Sequence, residues 1–567
     1  MDAIFYTLPN RNIDYPALSI PALIGKLRPD FEVKQVDLNV RIRDELITYR
    51  GLKTIKDVYI PNLIKVCSYK SQTCRYLIRF FAFIQEIELK FGFNYIENVK
   101  NEMQNRNYEH VLLEQKTFDA VLTIFRLNSL LHTFFDIYVM YNNDIRNLED
   151  DIIKVIIDNE VSYIIKQSPN LLGFTLLEIQ KNFTLFFISL LRERGYKGYI
   201  SIGGADSTRH YDKYMELYKQ IDFAFIKEGE VSVAEVLRYL RVNKRNWEDI
   251  PGLAYRNNDQ IFINNAVRFQ PDEMVTPDFN DLELDKYLTS ALPIQASRAC
   301  YYGKCDYCIH WKTYSHYYER NAVCIVNDLE HLVKKYNTKY FHFTDDALSS
   351  ELGIQISNEI IKRGLDIRWL VYGRLENIYT KECLEKWYKA GARILEWGFE
   401  TASQQLLNDM KKNVDIENAK EVLKNSSDIG IINKLFCFHN YPTEKIEDLK
   451  CTVKFIEKYT NSRVIRPFSS LRNKLFLLKG SKLYNDSHYS NKFKKVWEPS
   501  GIFNVNASYK EFYEYDERKK IVELHATCIS DYMKKNKIYA TNDENVMLDL
   551  VIIDLQEKGN IPFYRCI

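Results

Sequence analysis

Leu292-Pro293-Ile294-Gln295-Ala296-Ser297-Arg298-Ala299-Cys300-Tyr301-Tyr302-Gly303-Lys304-Cys305-Asp306-Tyr307-Cys308 is the stretch on which the reading of this chain turns. Leu292–Ala296 has the make-up of a short strand, and Cys300, Cys305 and Cys308 follow it at C-x4-C-x2-C spacing. Thiolates are soft donors that select iron–sulfur clusters, zinc or copper. A structural zinc site or an ordinary cubane cluster takes four protein ligands, whereas this knot offers three, with no fourth cysteine close behind. Two kinds of reading stay open on spacing alone. One is a cluster with an open metal position. The other is a zinc knuckle completed by His310 or His316, or a set of buried free thiols.

Working outward, an α/β rhythm starts at Pro293. Strands are expected at Tyr340–Thr344, Arg368–Tyr372, Ile394–Gly398 and Lys434–Phe438, with helices between them. That alternation predicts a partial barrel, of (β/α)6 type, whose strand ends face one mouth. Upstream, Ala3–Thr7, Pro16–Leu27 and Phe31–Val36 read as strand, helix, strand. The 3.6-residue periodicity of Thr73–Phe91 and Val111–Tyr141 marks a helical insertion over about 46–165. The rhythm then resumes with Leu171–Leu176, Gly198–Ile202 and Phe223–Ile226, each followed by a helix, which predicts a parallel, doubly wound, Rossmann-like sheet. The expected domains are therefore 1–245, a linker with a small hairpin at 246–290, the barrel at 291–470, and a small α/β or α+β region at 471–567.

Bulk properties narrow the function classes. The chain has 567 residues, 46% hydrophobic and 27% charged, with a net charge of +2, which gives no global field for nucleic acid or a membrane surface. No uncharged apolar run is long enough to span a bilayer, and the N-terminal residues lack the pattern of a signal peptide. Eleven cysteines, mostly scattered, suit a reducing cytoplasm.

Further residues carry a resemblance. The cysteine knot, Asp345-Asp346 at a strand end, and Trp397-Gly398-Phe399-Glu400-Thr401-Ala402-Ser403 followed by Met410-Lys411-Lys412 resemble the radical S-adenosylmethionine superfamily. Gly173-Phe174-Thr175, Gly203-Gly204-Ala205, Lys227-Glu228-Gly229-Glu230, Ile250-Pro251-Gly252-Leu253-Ala254-Tyr255-Arg256, Asn440-Tyr441-Pro442-Thr443-Glu444 and Phe476–Leu483 are similar to its subgroup with an N-terminal cobalamin-binding-type domain. The early Asp37-Leu38-Asn39 with a helical insertion is similar to members that modify ribosomally made peptides. Two departures stand out. The family's usual knot is C-x3-C-x2-C, and the Asp-x-His-x-x-Gly motif whose histidine ligates cobalt in many cobalamin proteins is absent here.

The resemblance implies a 4Fe–4S cluster on Cys300, Cys305 and Cys308, with S-adenosylmethionine on its open iron and a 5′-deoxyadenosyl radical as the product of reductive cleavage. It implies Tyr307 beside the adenine, Asp345 or Asp346 on the amino group or the substrate, Glu400 on the ribose hydroxyls, and Lys412 on the methionine carboxylate. Arg374 is a further cation facing the mouth. Plain structural alternatives are packing for Tyr307, helix capping for the aspartates, a solvated pair beside the negative end of a helix dipole for Lys411-Lys412, and a surface ion pair for Arg374. Thr175, Leu176, Gly203, Gly204, Ala205, Glu228 and Gly229 fall after strands, where a backbone could approach cobalamin closely. The implied reaction is cobalamin-dependent methylation of an unactivated carbon in a peptide or natural-product precursor. The alternative is epimerisation, cross-linking or rearrangement over an empty cobalamin-like domain. More remote is a zinc-stapled binding protein. A substrate and an external electron donor such as flavodoxin or ferredoxin are the implied partners, with no nucleic acid and no membrane.

Overall fold

The computed structural model describes residues 1–9, 13–68, 71–145, 148–266, 268, 270, 274–466, 473–475, 480–488, 493–496, 509–512, 516–535 and 546–561. Of the sequence stretches noted above, 476–479 lies outside them. The chain divides into two compact units, one over Met1–Ser290 and the other beginning at Ala291.

The first unit is built on a seven-stranded sheet. Its strands are β1 (Ala3–Thr7), β2 (Val33–Asp37), β3 (Leu171–Thr175), β4 (Tyr199–Gly203), β5 (Phe223–Phe225), β6 (Leu253–Asn257) and β7 (Gln260–Ile263). They lie in the order β2-β1-β3-β4-β5-β6-β7, parallel through β5 and antiparallel at β6 and β7. Residues expected as a linker hairpin thus form the antiparallel end of this sheet. All five residues of β1 are buried, as expected of a strand covered by helices on both faces. Register aligns Phe5 with Gly173, and a Cβ on Gly173 would lie 2.3 Å from the Phe5 ring. Glycine there lets β1 and β3 keep both their pairing and that aromatic ring. Winding reverses between β1 and β3, which makes their carboxyl ends the topological switch point.

The helical insertion runs from Tyr49 to Gln167, and its largest helices are Gln72–Lys90, Phe93–Gln104, Gln115–Met140 and Ile152–Gln167. Asp151 ties it together: its carboxylate caps the last of these at Lys154 N (3.0 Å) and accepts from Tyr59 (2.8 Å) and Tyr138 (2.9 Å). Gln115–Met140 is the one described helix long and apolar enough to cross a membrane by length and composition, and 56% of its apolar window is buried. Asp119, Arg126 and Asp136 interrupt it in sequence, while Leu127, Leu131, Phe134 and Phe135 are wholly buried.

The second unit carries β8 (Leu292–Ile294), β9 (Ser297–Arg298), β10 (Tyr318–Glu319), β11 (Tyr340–Phe343), β12 (Arg368–Arg374), β13 (Ala392–Glu400) and β14 (Ile432–Cys437). Five of these, in the order β8-β11-β12-β13-β14, form one all-parallel sheet that winds in a single direction with helices between strands. The six-unit barrel expected from sequence therefore shows five paired parallel strands among the described residues. A parallel bridge between His439 and Lys474 follows the end of β14. Farther on, β15 (Phe493–Val496) and β16 (Tyr509–Phe512) pair antiparallel.

The helix Val546–Glu557 belongs to this unit's core, and Met547, Leu548, Leu550 and Val551 are fully buried. It closes the amino-terminal side of the sheet. Asp554 accepts from Tyr340 (3.0 Å) and pairs with Lys339 and Arg368, while Asp549 pairs with Lys434 (3.2 Å) and Arg466. The carboxyl-terminal side is left for the cysteine knot.

Candidate active site

Strand β8 ends two residues before the turn Ala296-Ser297, and Asp345, one residue past Thr344 beyond β11, fastens that turn. Its fully buried carboxylate accepts from Ala296 N (3.2 Å), from Ser297 Oγ (2.6 Å) and from Ser297 N. Burial raises its pKa to about 6, with the Ser297 and Ala296 hydrogen bonds pulling the other way. Asp345, expected to face a ligand, is thus engaged in holding the chain that leads into the cysteines. It does not cap the next helix either, since Ser349 does. Its neighbour Asp346 accepts from His310 Nδ1 (3.1 Å) and keeps Oδ2 buried without a hydrogen-bond partner. Alternation at the strand end sends the two carboxylates to different places.

The knot itself is tied to two other loops. Asp306 donates its backbone N–H to Met410 O (3.3 Å), and its carboxylate accepts from Tyr441 (3.1 Å). Tyr302 donates to Lys411 O (2.5 Å). Cys305 is buried, and Cys300 and Cys308 are partly exposed; all ten cysteines among the described residues are free thiols. His310 is engaged with Asp346, and His316 Nδ1 lies 3.0 Å from Ser315 Oγ, so both zinc-knuckle histidines have other partners. Among the described residues, no three of His, Cys, Asp and Glu gather around one ion-sized point. A single zinc would draw its sulfurs to about 3.8 Å from one another, given bonds of about 2.3 Å. Cubane irons spread them wider.

Glu400, Lys412 and Tyr307 meet across from the knot. Tyr307 donates to Glu400 Oε1 (3.0 Å), and Lys412 Nζ donates to the same oxygen (2.7 Å) and to Tyr307 Oη (3.3 Å). Two local features aim Glu400. The β13–β14 register shifts between Gly398 and Glu400, and Glu400 itself has φ of +66°. Such a conformation costs a non-glycine residue about 1–3 kcal/mol and gathers at functional sites. Lys412 is drawn in by the turn after the helix Gln404–Asp409, where Lys411 also has positive φ (+53°). Burial pulls the Lys412 pKa down, but the Glu400 carboxylate and the Cys305 thiolate together more than offset it, so the ammonium is held above its ordinary value. Burial and the Glu400 charge push Tyr307 well up. Beneath the trio lies Gly398, where a Cβ would come within 2.9 Å of Lys412 Nζ and 3.2 Å of Glu400 Oε1.

Arg374 is buried and directed at Cys305 Sγ (Nη1, 3.7 Å), with Glu376, Lys412 O and the Tyr302 ring as its other partners. The expected mouth-facing cation is therefore turned onto a thiol. Glu376 is not singled out from sequence, and nothing local marks it; Asp346 is named there beside Asp345, and Gly398 only as part of the Trp397–Ser403 motif.

In the first unit, Thr175, Leu176, Gly203, Gly204, Ala205, Glu228 and Gly229 do fall at or just past the carboxyl ends of β3, β4 and β5. Gly204, at φ +95°, opens the helix Ala205–Leu217. In that helix Asp206 is wholly buried against His210 Nδ1 (3.1 Å) and Tyr214, and its pKa falls to about 2 because those partners and Arg209 outweigh burial. Ser207 Oγ and His210 Nε2 are buried without hydrogen-bond partners.

Comparison with known proteins accords with this geometry. Residues 294–456 match the Radical SAM superfamily. An uncharacterized methyltransferase of Pyrococcus horikoshii is 23% identical over 332 residues, 55% of this chain and 71% of that relative. The cobalamin-dependent S-adenosylmethionine radical enzyme OxsB, solved with aqua-cobalamin and S-adenosylmethionine, superposes with a TM-score of 0.54 at 16% identity, over 71% of this chain and 64% of that one. The radical S-adenosylmethionine methyltransferase TsrM from Kitasatospora setae, solved with cobalamin and a [4Fe-4S] cluster, gives 0.54 at 15% identity, over 69% and 87%. Residues 294–456 are thus a radical SAM superfamily domain, the domain type that works with a 4Fe–4S cluster and S-adenosylmethionine, on a chain with the fold of OxsB and TsrM.

Proposed function

We propose that this chain is a cobalamin-dependent radical S-adenosylmethionine enzyme that methylates an unactivated carbon of a peptide or natural-product precursor, as in the maturation of ribosomally made peptides. The observation that carries the reading is the meeting of Tyr307, Glu400 and Lys412 above the bare Gly398, at the sheet edge that also bears the cysteine knot. A cosubstrate with an ammonium, a carboxylate, a ribose and an adenine needs such a mixed set of partners.

Cys300, Cys305 and Cys308 would hold the cluster. Asp346 Oδ2, buried and unpartnered, suits the amino group better than Asp345, whose oxygens are occupied. Glu400 would take the ribose hydroxyls, Lys412 the carboxylate, and Tyr307 would lie beside the adenine. When bound, the cluster and S-adenosylmethionine supply a 5′-deoxyadenosyl radical, and cobalamin supplies a methyl carrier. The chain's own part is to exchange the Lys412–Glu400 ion pair for bonds to the ligand. It also has to keep the carboxyl edge dry enough for those bonds to count.

Thr175, Leu176, Gly203, Gly204, Ala205, Glu228 and Gly229 line the edge where cobalamin would lie. Support comes from the switch point between β1 and β3 and from the orphaned Ser207 and His210 atoms nearby. A second reading, radical chemistry without methylation, is favoured by one feature. The ends of β3 and β4 are joined by Leu176 N to Gly203 O (2.8 Å) and Asp206 N to Leu176 O (3.2 Å), which tightens that edge. A flavodoxin or ferredoxin in a reducing cytoplasm would supply electrons and keep the free thiols reduced.

Anaerobic purification with cobalamin, followed by iron, cobalt and 5′-deoxyadenosine analysis, tests the proposal. Stoichiometric iron and cobalt with S-adenosylmethionine-dependent product are expected. Iron without cobalt would select the second reading, and a colourless, zinc-containing protein would end both. A narrower check is Gly398→Ala. The added methyl crowds Lys412 and Glu400, so S-adenosylmethionine affinity should fall on the order of tenfold, the scale of about 1.4 kcal/mol of overpacking, with the cluster intact. Unchanged binding by equilibrium dialysis would remove this pocket from consideration.

A further inference from the structure

Arg374 ends β12 and is only 4% exposed. Its guanidinium is held on every side: Nε donates to Glu376 Oε1 (2.7 Å), Nη2 to Lys412 O (2.5 Å), and Nη1 to Cys305 Sγ (3.7 Å), with Cζ 3.9 Å from the Tyr302 ring centroid. Glu376 is fixed in turn by Tyr301, which donates to its other oxygen (2.7 Å). A guanidinium never loses its charge at any working pH. Here that permanent charge is buried, clamped, and set against one sulfur of the knot. These contacts leave it poorly placed to reach a ligand in the mouth, and well placed to act on whatever Cys305 holds.

We propose that Arg374 is a positioning residue that raises the reduction potential of an iron–sulfur cluster on Cys305, through its hydrogen bond to Sγ and its buried charge, with Glu376 as the opposing charge. The inference rests on the cluster assignment made above. Hydrogen bonds to cluster sulfurs and local net charge are among the levers that set such potentials. Adding an electron makes a cluster more negative, so a nearby cation favours the reduced state and a nearby anion disfavours it. Arg374 and Glu376 therefore have opposite signs of effect although they touch each other, and a purely structural pair would not.

The test is a redox titration, followed by electron paramagnetic resonance, of the reconstituted full chain without S-adenosylmethionine. Wild type is compared with Arg374→Gln, Arg374→Lys and Glu376→Gln, each with its iron and sulfide content measured. Arg374→Gln should lower the one-electron reduction constant at least tenfold, about 59 mV. Arg374→Lys should fall between it and wild type, and Glu376→Gln should shift in the opposite direction. Potentials within a few-fold of wild type, or both neutral variants moving the same way, would overturn the proposal. If Arg374→Gln fails to hold a cluster, Glu376→Gln decides alone: a raised potential supports the role and an unmoved one ends it. A wild-type chain that assembles no cluster defeats the cluster assignment itself, a failure readily told apart from intact clusters with unshifted potentials.

Discussion

Cys305→Ala should eliminate 5′-deoxyadenosine formation and the visible iron–sulfur absorbance while leaving the chain folded. Cys305 is the buried thiol of the knot and the one that Arg374 faces. With two thiolates left, the site cannot complete a cluster that takes three protein ligands and an open iron, so product should fall below detection. Loss of one small buried side chain should cost only about 0.5–3 kcal/mol, which far-ultraviolet circular dichroism and a urea midpoint can verify. Cys324→Ala is the matching control, because that thiol is exposed on the helix Ala322–Tyr336 and should leave iron content and product unchanged. Cleavage that persists undiminished in Cys305→Ala would show that the knot is not the cluster site. Loss of product in both variants would point to general thiol damage.

Much of this arrangement was legible in the sequence because it depends on local pattern. Five-residue strands such as Ala3–Thr7 and Leu171–Thr175 announce themselves by continuous apolar character, and the helices between them by periodicity. The knot was legible because thiolate spacing has few uses. What was not legible depends on partners far away in the chain. The last described helix, Val546–Glu557, is mostly apolar, but nothing local shows that its Asp549 and Asp554 are buried against cations or that Asp554 meets Tyr340 from 214 residues away. The left-handed φ of Glu400 and the bulge beside it are likewise products of pairing with β14, which no local rule at Phe399-Glu400-Thr401 reveals. Arg374 read as a cation at a mouth because the end of a strand is all that sequence can see. Its direction toward Cys305 is set by Glu376 and the Lys412 carbonyl.

The two adjacent aspartates show how the same limit leads to a prediction. The sequence takes the two together and favours Asp345 for the ligand. In the structure, Asp345 accepts from three buried donors: Ala296 N, Ser297 N and Ser297 Oγ. Each buried donor left unmade costs about 1–3 kcal/mol, so Asp345→Ala should destabilise the second unit by roughly 3–5 kcal/mol. Asp346→Ala, which removes a bond to an exposed histidine, should cost under about 1 kcal/mol. The penalty should also depend on pH. Burial raises the folded-state pKa of Asp345 to about 6, above its ordinary 3.8, so the folded chain binds the proton more tightly than the unfolded one. That contribution to stability is fully present below about pH 4 and is lost as pH rises through 6. The Asp345→Ala penalty should therefore be larger at pH 5 than at pH 7.5, by about 1.4 kcal/mol. Urea midpoints of the metal-free chain at the two pH values measure it. Because Ala296-Ser297 leads directly into Cys300, the variant should also load iron poorly even where it remains folded. Equal penalties at both pH values would mean that Asp345 is ionised throughout. A penalty under about 1 kcal/mol would mean that other groups hold the turn.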